Sequence, residues 1–167
     1  MSDVEIIAND ALRQGRGGGV IHRSASGTLL MADSGSGVSS VEGNTADGAG
    51  GGIHADVAEV WILETRIAEN EAGGHGGGAW IETDLLRAVD VEFDQNLVNQ
   101  NQSGGGLYLV GYDPGPNPAP ILERVAFIAN TASAGGGAYI SGMHGVSANQ
   151  LQLHNVTFSG NQIDIAG

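Results

Sequence analysis

The chain contains no cysteine and no lysine. Without cysteine there is no disulfide framework and no thiolate metal site, while the redox compartment stays open. Six arginines face 19 Asp and Glu residues, for a formal net charge of −13. A surface that acidic repels phosphate backbones and anionic headgroups, so nucleic acid and membrane surfaces are not expected partners. No apolar run is long enough to span a bilayer, and direct membrane insertion is not expected. Met1-Ser2-Asp3-Val4-Glu5 has neither the basic flank nor the apolar stretch of a secretion signal. All four prolines fall between Val110 and Pro120, which marks 110–120 as an excursion from regular structure.

What the chain has in excess is glycine, 29 of 167 residues, in a sequence that is still 41% hydrophobic. Disorder is a poor reading of that composition, so the glycines must be positional. Their placement is periodic. Triple glycines stand at Gly17–Gly19, Gly50–Gly52, Gly76–Gly78, Gly104–Gly106 and Gly135–Gly137. Before them an apolar-x-x-Asn phrase recurs at Ile6–Asn9, Val41–Asn44, Ile67–Asn70, Phe93–Asn96, Phe127–Asn130 and Phe158–Asn161, with intervals of 35, 26, 26, 34 and 31 residues. A loose period of this size indicates stacked repeats whose extra length sits in loops.

Each triple glycine leads into a short alternation, as in Leu107-Tyr108-Leu109, which is strand-like with its first and third residues on one face. A second apolar pattern precedes each Asn, as in Leu86-x-Ala88-x-x-Val91-x-Phe93, and its two-residue gap predicts a bend between two short strands. The expected unit is about three short strands joined by turns, with no helix. Such units bury their inward residues only by stacking. Stacking turns equivalent letters into ladders: Val41, Ile67, Phe93, Phe127 and Phe158 in one, Asn44, Asn70, Asn96, Asn130 and Asn161 in another. An amide both donates and accepts, so a buried Asn column can satisfy itself. The expected fold is all-β, a β-solenoid of about five coils forming a single domain over 1–167. The coil holding Ala32-Asp33-Ser34-Gly35-Ser36-Gly37 is expected to pack most weakly, because small polar residues replace apolar ones.

The apolar-x-x-Asn phrase followed by Gly-Gly-apolar resembles the repeat of chlamydial polymorphic outer-membrane proteins, and the resemblance runs from about Ile6 to Asn161. It implies a right-handed parallel β-helix of the pectate-lyase-like type. It also implies a secreted or surface-displayed, autotransporter-passenger-like chain acting in adhesion, although some β-helices are polysaccharide lyases or hydrolases. Both ends of the sequence fall inside repeats, which favours a piece of a longer protein over a cytosolic chain, and the resemblance implies that this protein is extracellular or at the cell surface.

Three candidate surfaces follow from the stacking. The outward middle position of the post-glycine strand gives Ile21, His54, Trp80, Tyr108 and Tyr139, an exposed column whose aromatic rings suit a glycan or a surface protein. The alternative is that these rings only stabilise the ladder or lie under a loop. Asp90, Glu92 and Asp94 alternate with Val91 and Phe93 and should project outward together, with Glu64 stacked beside Asp90. Carboxylates so placed could take Ca²⁺, and Glu64, Asp90 and Asp94 could serve a glycosidase or lyase. The same register sets Arg66 beside Glu92 and Arg124 beside Asp90, which reads equally as solvated ion pairs. The histidines lack metal-ligand spacing, and only retained register in the first coil could bring His22 near His54. Finally, open strand edges at the first and last coil could let copies stack head to tail into a filament. The expectation is a non-catalytic adhesive module, with a carbohydrate-active enzyme and a self-assembling filament subunit as alternatives.

Overall fold

The computed structural model describes residues 5–11, 15–32, 38–99, 101–111, 119–142 and 151–164. Two sequence features lie largely outside them: 112–118 of the proline-rich excursion, and 33–37 of the coil expected to pack weakly. The described residues form strands and turns without helix. Every strand pairing is parallel, and the strands divide between an 11-stranded and a 6-stranded sheet.

Each repeat adds one level to four columns of paired residues. The first runs Ile6, Val41, Ile67, Phe93, Phe127, Phe158. The second is built on the short strands after each Asn and includes Ala11, Ala46, Ala72, Val98, Ala132 and Ile163. The third runs Val20, Ile53, Ala79, Leu107, Ala138. The fourth runs Met31, Ile62, Ala88, Leu122, Leu153. Among the described residues two columns thus hold six levels and two hold five.

The strands are longer than the sequence pattern suggests. One runs unbroken from Ile53 to Ala68, another from Leu85 to Asp94 and another from Ile121 to Ile128. The bend in each is made by a single residue with positive φ: Glu64 at 49°, Asp90 at 55° and Arg124 at 52°. One left-handed residue turns the chain while pairing resumes on either side, from Leu63 opposite Val89 to Thr65 opposite Val91. Val20–Met31 departs from this regularity, with a register shift between Ser24 and Thr28.

The inward residues form one core. Val41, Ile67, Phe93 and Phe127 are buried, and the phenyl rings stack at 4.9 Å for Phe93 on Phe127 and 4.8 Å for Phe127 on Phe158. Burying each such ring contributes roughly 2 to 3 kcal/mol before entropic costs. Phe158, expected inside with the others, keeps the register but is 54% exposed, because no described residue forms a level above it.

Beside the core runs a polar ladder. Nδ2 of Asn9, Asn44, Asn70, Asn96 and Asn130 donates in turn to Oδ1 of the next Asn at 2.9 to 3.0 Å, ending on Asn161. The same Oδ1 atoms also accept the backbone N–H of the preceding Asn at 3.0 to 3.1 Å. The second proton on each Nδ2 from Asn44 to Asn161 goes to the carbonyl of an apolar ladder residue one layer earlier: Ile6, Val41, Ile67, Phe93 and Phe127. Asn44, Asn70, Asn96 and Asn130 are buried with all of this capacity used, which is how the core tolerates a polar column. The glycines make room for it. A Cβ on Gly77 would lie 2.5 Å from the Gly105 carbonyl oxygen and 2.6 Å from that of Leu97, so the layers approach too closely there for any side chain.

Candidate functional site

The aromatic column forms on the outer wall of the third column. Ile21 pairs with His54, His54 with Trp80, Trp80 with Tyr108, and Tyr108 with Tyr139. It is not uniformly exposed. Ile21 is 55% exposed and Tyr139 37%, Trp80 and Tyr108 are half-buried, and His54 is 1% exposed. The expectation of an open His54 is therefore corrected. The residues before each triple glycine, Arg16, Ala49, His75, Ser103 and Ala134, are linked through hydrogen bonds from the following glycine to the next layer's turn. Three of them, Arg16, Ala49 and His75, interact with wall residues. His75 stacks on Tyr108 with centroids 4.4 Å apart, and Arg16, one layer before His54, acts on the His54 ring.

Within the column the rings lie face to face. His54 and Trp80 are 4.4 Å apart and 8° from parallel, and Tyr108 and Tyr139 are 5.2 Å apart and 8° from parallel. Tyr108 is thus covered on both faces, by His75 and by Tyr139. A partner approaching from solvent meets ring edges and hydroxyls more than open ring faces. His75 was not singled out from the sequence, although its fixed place directly before a triple glycine was a usable signal.

His54 is chemically unusual in this wall. Neither ring nitrogen has a hydrogen-bond partner at bonding geometry. Burial, followed by the charges of Arg16 and Arg23, pushes its pKa down to about 4, against smaller opposing effects from Asp56 and the Ala49 backbone. His75 is also pushed down by burial, and its Nδ1 accepts the Ser103 N–H at 3.1 Å. His22 pairs with Ala55 rather than His54, so the register brings no histidine pair together there.

The acidic group resolves into ion pairs. Asp90 occupies the bend rather than the strand proper, and Arg124 holds both its oxygens at 2.6 and 2.8 Å while also bonding Glu123. Arg66 gathers Glu92 at 3.0 Å, Asp94 at 2.6 Å and Glu42 at 2.5 Å. Glu64 lies level with Asp90, as the stacking requires, but is exposed. Among the described residues no three His, Asp or Glu side chains are grouped to hold a metal ion, which corrects the Ca²⁺ idea at Asp90, Glu92 and Asp94. Physically, each of those carboxylates already has an arginine as its counter-charge. The Arg124 hydrogen bonds hold the Asp90 carboxyl below its usual range, opposite to what a general acid near neutral pH needs.

Comparison with known proteins adds one finding. Residues 38–56 match the Chlamydia polymorphic membrane protein repeat, a span that takes in Val41, Asn44, Gly50–Gly52 and His54. That segment contributes one level each to the apolar ladder, the Asn ladder and the aromatic column. No curated protein and no solved structure matches the chain.

Proposed function

We propose that this chain is a non-catalytic module of a cell-surface protein, a right-handed parallel β-helix of the pectate-lyase-like type that displays an adhesive side wall to a glycan or a surface protein. The observation that carries this reading is the in-register column Trp80, Tyr108, Tyr139 on a wall pinned from within by the Asn ladder. The match of residues 38–56 to a membrane-protein repeat supports the surface location, and parallel pairing in four stacked columns supports the β-helix. Because the rings are stacked, binding would use their edges and hydroxyls, with His75 as part of the same patch. The enzyme reading is weaker, since Asp90 and Asp94 are neutralised by arginine.

A glycan array, a panel of surface proteins and a polysaccharide hydrolysis screen test the proposal together. Binding that falls at least tenfold in the Trp80→Ala/Tyr108→Ala double variant, without hydrolysis, is expected. Turnover of a polysaccharide, or binding indifferent to that variant, would overturn it.

A further inference from the structure

The aromatic wall contains a group that its packing does not satisfy. His54 is buried, stacked flat on Trp80, and has both ring nitrogens without a hydrogen-bond partner. The charged groups acting on it are Arg16 from the preceding turn, Arg23 from the neighbouring strand Val20–Met31, and Asp56 from its own strand; on its other side stands the uncharged Trp80. Asp56 is itself paired with Arg23 at 3.3 Å, so it is not a free counter-ion. A proton on this ring would create a buried imidazolium under the charges of Arg16 and Arg23, with no acceptor at bonding geometry and only the lesser opposing influences of Asp56 and the Ala49 backbone. Nothing comparable exists at the other levels, where the equivalent residues are Ile21, Trp80, Tyr108 and Tyr139.

We propose that His54 is an acid-sensitive latch: neutral, it seals the wall between the Arg16–Ala49 turns and Trp80, and on protonation it leaves the stack, lifting the turns and uncovering Trp80. The latch rests on the wall geometry and not on the adhesive reading, but would alter the same surface. The direction of the effect follows from linkage. The ring takes a proton near pH 6.5 when exposed and only near pH 4 when stacked, so the open form binds more protons throughout that window. Its population therefore rises as pH falls, by up to tenfold per pH unit and about 300-fold in all.

The test uses the full chain with Trp61→Phe, so that Trp80 is the only indole. Between pH 7 and 4, Trp80 emission should shift to the red, and amide exchange at Gly17, Gly50 and His54, corrected for the intrinsic pH dependence, should accelerate. Replacing His54 with Phe, which keeps a stacked ring and removes the proton site, should abolish both changes. If that variant does not fold, proton NMR of the His54 ring in the parent decides the matter. A ring titrating below pH 5, together with accelerated exchange around it, supports the latch. A ring titrating near 6.5, or an acid transition identical in parent and His54→Phe chains, overturns it.

Discussion

Removing one amide from the middle of the Asn ladder should cost far more than removing one from its end. Asn96 accepts the Asn70 N–H at 3.1 Å and Asn70 Nδ2 at 3.0 Å, and its own Nδ2 donates to the Ile67 carbonyl at 2.8 Å and to Asn130 at 2.9 Å. In Asn96→Ala, two Asn70 donors and the Ile67 carbonyl lose these partners inside the core, while Asn130 Oδ1 still accepts the backbone N–H of residue 96. At about 1 to 3 kcal/mol for each of these three orphaned buried groups, the loss is roughly 3 to 9 kcal/mol. That is a large fraction of the 5 to 15 kcal/mol typical of a domain. Asn161→Ala removes three bonds against four at Asn96, and does so at a part-buried level where water can substitute, so it should cost about 1 to 2 kcal/mol. Asn96→Asp sharpens the test. An aspartate there still accepts from Asn70 but sets an oxygen against two other acceptors, whereas its protonated form restores one donor. Its stability should consequently improve, relative to the parent, as pH falls toward 5. Urea unfolding at constant m-value measures all three variants. Equal losses at Asn96 and Asn161, or an Asp variant with no acid recovery relative to the parent, would refute the ladder as the source of the layer stability.

Two further outcomes follow from the packing. Gly77→Ala, which drives a Cβ against backbone oxygens at 2.5 and 2.6 Å, should lose several kcal/mol or fail to fold, whereas Gly43→Ala, at φ 62° with nothing nearer than 4.0 Å, should lose only about 1 kcal/mol; the same urea assay compares them. Arg66→Met strands Glu42, Glu92 and Asp94 around an uncharged side chain and should lower stability by about 1 to 3 kcal/mol, more at low salt than at high salt, as read by melting in 20 and 500 mM salt.

The ladders were legible in the sequence because each depends on one residue at a constant distance from a glycine or an asparagine. Phe93, Phe127 and Phe158 sit three residues before Asn96, Asn130 and Asn161, and parallel register carries that spacing directly into contact. The pairs Arg66 with Glu92 and Arg124 with Asp90 were legible for the same reason. Glu42 and Asp94 were not anticipated as partners of Arg66, since each sits two residues away in register from the position opposite and is reached only by the length of the arginine side chain. The bends were visible as gaps in the apolar pattern, but not their conformation: Glu64, Asp90 and Arg124 share a left-handed backbone and no common side-chain chemistry. The burial of His54 was hidden for a different reason. Alternation assigns a residue to the outside of a strand, yet His54 is buried and interacts with groups from other parts of the repeat, among them Arg16 and Ala49, which alternation does not register.

The stacking register is open to a direct chemical measurement, because the chain has no cysteine of its own. Ala126 and Thr157 are register partners on neighbouring strands, whereas Ser159 is level with Ile128. Cysteines at 126 and 157 would have Cα atoms about 5 Å apart, within disulfide range, while cysteines at 126 and 159 would lie about 8 Å apart, beyond it. Under mild oxidation the first pair should close almost completely in the folded monomer and the second should stay reduced. Closure of the second pair in preference to the first would contradict the register on which the core, the Asn ladder and the aromatic wall all depend.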